Sequence, residues 1–579
     1  MEKVLQIGIV GTGPRGLVAL ERLIAEMARA QTDGAIKLTL FEASTYPGCG
    51  PNYALDQPRC NQLNVPFREI PMPPRSSVDG DVHYDAFPSF QQWYKQRHDV
   101  ADSSKDFFPA RADIGRYLQE RFQSVVNVNP LVVKVICEKV VAAERCGGQW
   151  HLRTKNSVQL FKLDDVLLAI GHQPTNQDQN LERWIEHSVE SSNAELYLEP
   201  YPNQPLTDSD RIDSESVVAL RGMGLSMIDI VKCLTVGRGG TFSVTDPARL
   251  TMQYRSSGRE PKRIVPFSLD GQPMAPKPVN AAIDSHFDVP DATISALETA
   301  LNVDETKFTG NDLHDLLIHW ASKIASVKYV EQADQVSATT DKQEIDVGAI
   351  EKLAASWLHD GSVCHASITD TTQSIGQIMQ QFLDMAMGNR RPSLDFCIGQ
   401  VWRKLQPTFY DCLRFRQFDA EVIAPAVALD QRMKRYAFGP PAEAIAMLIT
   451  LREIGVLVFK IADDPDVEVT DTGWKLRDGK DSVEANIMIN TVLDQAQLTE
   501  TNSELVIQIN NQGYTEAVHE SLGAKAMRDG SLIRGGKPVE GLTATGRLIL
   551  GSVFEADALL ACFGDDMTTW ARGVMARRS

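Results

Sequence analysis

The sequence predicts an α/β chain: a Rossmann-like N-terminal domain, a second unit of the same kind, and a helical insertion before the chain returns to the first domain. Three observations predict it. An apolar run from Val4 to Val10 leads into Gly11-x-Gly13-x-x-Gly16 and then an apolar stretch at helical spacing. The same order of strand, glycine turn and helix recurs from Ser216. Between about Asp288 and Ile461 the apolar spacing turns helical, and from Val467 it returns to strands. The expected divisions are 1–215, 216–287, 288–461 and 462–579. A length of 579 residues is too great for one hydrophobic core and accommodates such a division.

In the first unit each piece has a physical task. Gly11 makes the tight turn, Gly13 lets a diphosphate approach the backbone, and Gly16 lets the helix pack on the strand. Pro14 and Arg15 open the helix, whose unpaired N–H groups and positive dipole end face the phosphates. A second strand, Ile36 to Phe41, ends in Glu42, followed by Ala43. A carboxylate there accepts hydrogen bonds from ribose hydroxyls and repels a 2′-phosphate. FAD is favoured over NAD by two polar loops, Gly48–Tyr53 and Asn61–Pro66, which would wrap the flavin half, with Asn64 among the contacts. Asp165-Val-Leu-Leu-Ala-Ile-Gly171 reads as a strand closed by a small-residue turn.

The second unit runs from Ser216-Val-Val-Ala-Leu220 through Gly222-Met-Gly224-Leu-Ser226-Met227 to a helix, with Gly239–Val244 expected as the next strand. Met227 stands at the third glycine position, which requires more room between helix and strand. Gly222, Gly224 and Ser226 are the candidate contacts for NADPH or NADH. Asp246 would suit NAD, whereas Arg249, Arg255 or Arg259 would meet the extra phosphate of NADP.

Further along, Asn311–Trp320, Ile375–Met385, Gly399–Pro407 and Pro441–Leu451 carry apolar residues at helical spacing and are expected to cover the flavin and shape a substrate cavity. Trp402 and Arg403 are candidates for its lining, and Gln332 to Ile345 is expected as a loop. Leu548–Phe554 precedes a last helix, Asp565 to Arg578, and Gly551 is placed near the cofactor.

Composition removes several classes. A net charge of -18 and a pI near 5.2 leave no basic run for nucleic acid. Nine cysteines stand singly without C-x-x-C, which fits free thiols and argues against a dithiol reductase. Eleven histidines show no ligand spacing, so no metal is expected. No run reaches the ~18 apolar residues of a membrane span. The N-terminus reads as a first core strand, and cytoplasm is the expected location.

The stretches IVGTGPRGLVALERL, CGPNYALDQPRCNQLNV, FFPARADIGRYLQERF, LLAIGHQP, RGMGLSMIDIV, YRSSGREP and GQVWRKLQP together resemble a group of FAD/NAD(P)-binding proteins related to class B flavin monooxygenases and including flavin-dependent hydroxylases. The resemblance implies FAD at Gly11, Gly13, Gly16 and Glu42 and a nicotinamide cofactor near Gly222, Gly224 and Ser226. Two departures stand out. The element Ser-Arg-x-Gly-x-Pro appears here as Ser268-Leu-Asp-Gly271-Gln-Pro273, and Asn486–Asp494 replaces a strand followed by Asn-Ala-Thr-Gly.

Two such units in one chain suggest hydride transfer from nicotinamide to flavin, with molecular oxygen as the simplest acceptor. The expected function is therefore an FAD-dependent, NAD(P)H-consuming monooxygenase of a small molecule, with N-hydroxylation as one option. An NAD(P)H:acceptor reductase or oxidase is the second class, and a non-catalytic flavin-binding sensor or adaptor the third. No side chain stands out as a catalytic base or nucleophile, because the cofactor does the difficult chemistry.

Overall fold

Five parallel strands and one antiparallel edge strand make the first sheet of the computed structural model, which describes residues 4–30, 36–100, 105–191, 193–336 and 345–577. Leu5–Val10 lies at the centre, with Ile36–Phe41 and Val133–Ile136 on one side. Asp165–Leu168, Lys537–Ala544 and the edge strand Ser531–Arg534 lie on the other. The central strands are almost wholly apolar because helices and insertion cover both faces. Helices Pro14–Arg29, Arg111–Val126 and Asp566–Ala576 pack with this sheet. Buried Glu21 ties the first two together by accepting from Arg75 and Arg121 at 2.8 Å.

The second sheet is smaller and wholly parallel, in the order Arg263–Phe267, Val217–Arg221, Ile487–Asn490, Glu195–Tyr197. The two sheets make this an α/β chain of two Rossmann-like units. Helix Leu225–Leu234 follows the glycine turn of the second, as the apolar spacing predicts.

Four segments differ from expectation. Thr241–Asp246 is a strand, but it pairs antiparallel with Thr251–Arg255 in a hairpin of its own, and its largely exposed residues have no sheet face to cover. Ile487–Asn490 enters the second sheet, not the return to the first; its four buried residues suit a position between two neighbours. The return strand is Lys537–Ala544, whereas Gly546–Ile549 is a short 3-10 turn that carries its apolar residues inward. Helix Asp312–Val336 runs into the expected Gln332–Ile345 loop, of which residues 337–344 lie outside the described residues.

The insertion is helical. Asp312–Val336, Val347–His359, Leu394–Leu413 and Ala420–Ala437 share one core with the C-terminal return. Ala442–Glu453 instead covers the second sheet, and Ile375–Ala386 lies between, with Ile378, Phe382 and Met385 in the shared core and Met379 and Leu383 against the second unit. Among the described residues no helix is long and apolar enough to cross a membrane.

Candidate functional site

Gly11 follows Val10, which stands opposite Phe41, and its N–H donates to the Phe41 carbonyl at 2.8 Å. Its φ of +93° belongs to the left-handed region, and a β-carbon there would stand 2.3 Å from the Ala169 carbonyl oxygen. Gly16 comes so close to the turn that a β-carbon would stand 2.1 Å from the Gly11 oxygen. Gly13 is different: a β-carbon would meet only Gly50, no nearer than 3.6 Å. Gly13 also caps the helix with no side-chain hydrogen bond, so the first-turn N–H groups stay available for an anion. Pro14 opens that helix.

Glu42 is buried. One carboxylate oxygen accepts from the Thr12 N–H at 3.0 Å and the Thr12 hydroxyl at 2.7 Å; the other accepts from the Ser44 N–H at 2.9 Å. The acid is thereby fixed at the mouth of the turn, with Ala43 exposed beside it. The same burial and the Glu42 charge push the Cys49 thiol up to about 12, leaving it inert at neutral pH.

Opposite the turn, Asp165–Leu168 ends in Ala169, whose N–H donates to Val10, and then in exposed Gly171 at φ +65°. The next strand ends in Ala544-Thr545-Gly546, and a β-carbon on Gly546 would stand 3.2 Å from the Arg15 side chain. Arg15 itself donates to the Ala556 carbonyl at 2.8 Å. Gly551 sits elsewhere in the return, against Val518 and Leu522. Around this rim, the neighbouring protein and the Arg547 charge lower the His172 imidazole from its ordinary value, although the residue stays exposed. Burial and the neighbouring Asp557 and Asp430 push the Glu555 carboxyl up to about 7.

The second turn repeats the first in the same register. Arg221 stands opposite Phe267, and the Gly222 N–H donates to the Phe267 carbonyl at 2.7 Å. Gly222 has φ +113°, Gly224 has open space around it, and Gly224 caps its helix without a side-chain bond. Thr491 occupies the place of Ala169; its N–H donates to Arg221 and its hydroxyl donates toward the Arg221 and Gly222 carbonyls. The counterpart of Glu42 is thus Ser268, whose hydroxyl bonds within its own loop, to Asp270 and from the Gly271 N–H. Ser226 is buried against the Tyr201 phenol, and Met227 is buried in the core of the unit. Asp246 caps the hairpin turn, and Arg249, Arg255 and Arg259 are exposed.

A polar seam joins the units. Arg111 pairs with Asp229 at 2.9 Å, and the Tyr201 hydroxyl donates to the same carboxylate at 2.6 Å. Lys232 donates to Gln62 at 2.8 Å. Beyond the seam, the buried Lys277 ammonium donates to the Asn64 backbone carbonyl, while the Asn64 side chain donates to Phe438 at 3.1 Å. Burial, reinforced by the nearby Arg403 charge, brings the Lys277 ammonium down to about 7. Trp402 is core, donating to Asp430 at 2.9 Å, and Arg403 is held by Asp284, so neither lines an open cavity.

Sequence reasoning missed Gly546 and Lys277, and it named Ser268 only as the head of an altered element, not as the counterpart of Glu42. Gly546 carried a signal, the Ala-Thr-Gly at 544–546. Ser268 needed the strand register, and Lys277 needed the fold. One group of metal-capable side chains, His314, Asp315 and His359, also comes together across two helices, which spacing along one helix cannot reveal.

Residues 8–173 match the family described as FAD-NAD(P)-binding. An L-aspartate N-monooxygenase (nitrosuccinate-forming) of Streptomyces cremeus is 29% identical over 300 residues, covering 46% of this chain and 43% of that protein. The nitrosuccinic acid synthase of Aspergillus oryzae is 30% identical over 260 residues, covering 44% of this chain and 39% of that protein. The matched region thus spans about two fifths of the length of each of these relatives. The ornithine hydroxylase of Pseudomonas aeruginosa aligns over 99% of both chains at 11% identity with a TM-score of 0.42, a likeness too loose to carry an argument.

Proposed function

We propose that this chain is an FAD-dependent, NADPH-consuming monooxygenase that hydroxylates the amino nitrogen of a small acidic amino acid. The observation that carries the reading is the duplication: two glycine turns in one register, one carrying a buried carboxylate, the other a neutral serine. Gly11, Gly13 and Gly16 with the helix amides would hold the FAD diphosphate, and Glu42 the adenosine ribose. Ala43, Asn64, Gly171 and Gly546 would line the rest of the cofactor. Gly222 and Gly224 would take the nicotinamide dinucleotide. Ser268 stands where Glu42 stands in the first unit, so the carboxylate that would repel a 2′-phosphate at that position is missing, and the nearby Asp270 is paired with Arg435; both favour NADPH over NADH. We assign Glu195–Tyr197 and Asp466–Asn490 to this second unit.

When bound, FAD supplies hydride acceptance and the reaction with dioxygen. The protein's part is placement. Lys277 has three donors and spends one on the Asn64 carbonyl. We assign it to a substrate carboxylate, a choice that agrees with the aspartate named for the relatives. The helical insertion would exclude water from the reduced cofactor.

The test is full-length protein with FAD, NADPH, L-aspartate and isotopically labelled dioxygen. The expected product carries labelled oxygen on nitrogen. Stoichiometric hydrogen peroxide with aspartate and every other amino acid would instead make the protein an oxidase. Failure of both NADPH and NADH to bleach bound flavin under nitrogen would leave FAD a structural ligand.

A further inference from the structure

We infer that Cys60 and Cys233 form a peroxide-oxidised thiol pair whose disulfide fastens the first unit to the second. The two residues are 173 positions apart, and their sulfurs lie 3.9 Å from each other. No C-x-x-C spacing announces them; the seam brings them together. Cys60 sits in the turn between Pro58 and Asn61 and is partly exposed, whereas Cys233 is buried near the end of helix Leu225–Leu234. One thiol is therefore open to a small oxidant and the other is withheld as its partner.

The surroundings favour this division of labour. The Cys233 thiol reaches the Cys60 sulfur and lies 3.5 Å from the Asn61 side-chain oxygen. The hydrogen bond between the two sulfurs, and then the adjoining Lys232 ammonium, hold the Cys60 thiol below its ordinary value against the effect of burial. The Cys233 thiol is held well above, by its bond to Cys60 and by burial. A reactive cysteine with a neighbouring resolving cysteine is the arrangement peroxide-sensing thiols need. The other buried cysteines, Cys49, Cys397, Cys412 and Cys562, all have raised thiols.

The oxidant is hydrogen peroxide. The Cys60 thiolate attacks one peroxide oxygen, the O–O bond breaks, and the departing hydroxide takes a proton to leave as water, which makes Cys60 a sulfenic acid. Cys233 then attacks the Cys60 sulfur, the S–O bond breaks, and a second water leaves with the thiol proton. Two thiols lose two electrons, and one peroxide gains them. Closing the sulfurs to about 2 Å requires an approach of roughly 2 Å, within the reach of side-chain rotation and a small loop shift. The bond would join the loop bearing Gln62 to the helix that begins at Gly224, reinforcing the Lys232–Gln62 and Arg111–Asp229 contacts. The inference does not depend on which cofactor either unit holds.

The test uses the full-length reduced protein, treated with a few equivalents of hydrogen peroxide, alkylated and digested without reductant. The expected result is a linked Cys60–Cys233 peptide that a dithiol reductant reverses. Cys60 should disappear roughly tenfold faster than exposed Cys137, Cys146 and Cys364. In Cys233→Ser, Cys60 should stop at a sulfenic acid trapped by a cyclic dione. Oxidation of the three exposed cysteines as fast as Cys60, with no linked peptide in the natural protein, would overturn the proposal. So would Cys60 over-oxidised to sulfinic acid beside an untouched Cys233.

Discussion

The two glycine turns share a register and differ in what stands beside them. In both, the strand residue before the turn faces a phenylalanine whose carbonyl accepts the glycine N–H, Gly11 to Phe41 and Gly222 to Phe267. After Phe41 comes Glu42, buried and accepting three hydrogen bonds; after Phe267 comes Ser268, bonded inside its own loop. The third glycine, Gly16, is packed against the Gly11 oxygen in the first unit, while its counterpart Met227 is packed into the core of the second. Backbone geometry alone therefore makes an anion cradle twice. On the proposed reading, the residue just past the neighbouring strand would decide which sugar each cradle accepts.

The comparison breaks most readily at the turn glycines. Gly11→Ala meets both a left-handed backbone and the Ala169 oxygen, so denaturant unfolding should show a loss of about 3 kcal/mol or more. Gly224→Ala meets nothing and should change stability by less than about 0.5 kcal/mol while raising the KM for NADPH. Equal losses in the two variants would contradict the distinction.

Next in size is the charge contrast. Glu42→Gln removes a buried charged acceptor, and FAD affinity should fall about 10- to 100-fold, read by flavin retained per protein. Ser268→Asp should do the opposite kind of work, moving coenzyme preference toward NADH by about tenfold in kcat/KM. Unchanged preference in that variant would remove Ser268 from the coenzyme site.

Lys277 offers a pH test. Its proton is held to about 7 in the folded chain and to about 10.4 when unfolded. The unfolded state thus binds more protons between these values, and stability should rise with pH across that window. Substrate binding should run the other way: kcat/KM for aspartate should fall above pH 7 as the ammonium is lost. Lys277→Arg should keep binding at higher pH, and Lys277→Met should abolish both trends. Thr491→Val removes the hydroxyl bonded to the Arg221 and Gly222 carbonyls and should cost about 1 kcal/mol in denaturant unfolding, with coenzyme preference unchanged.

What the sequence disclosed follows from distance along the chain. Strand, turn, helix, second strand and Glu42 lie within residues 4–42, each carrying its own signal, so the first unit was readable. The second turn was readable for the same reason, but its sheet was not. Ile487–Asn490 pairs with Val217–Arg221 across some 270 residues, and nothing local in that apolar strand says which sheet it joins. The apolar run Leu548–Phe554 draws attention to Gly551, whereas the strand that pairs beside Asp165–Leu168 is Lys537–Ala544, which leads to Gly546. Cys60 and Cys233 escaped notice because spacing rules detect neighbours in sequence, not across a seam.

The central claim, that the first turn and Glu42 grip FAD, is tested most directly by equilibrium binding of FAD to the full chain and its Glu42→Gln variant. The natural protein should turn yellow and hold about one FAD per chain after dialysis, the variant far less. A colourless natural protein that takes up no added FAD would contradict the account.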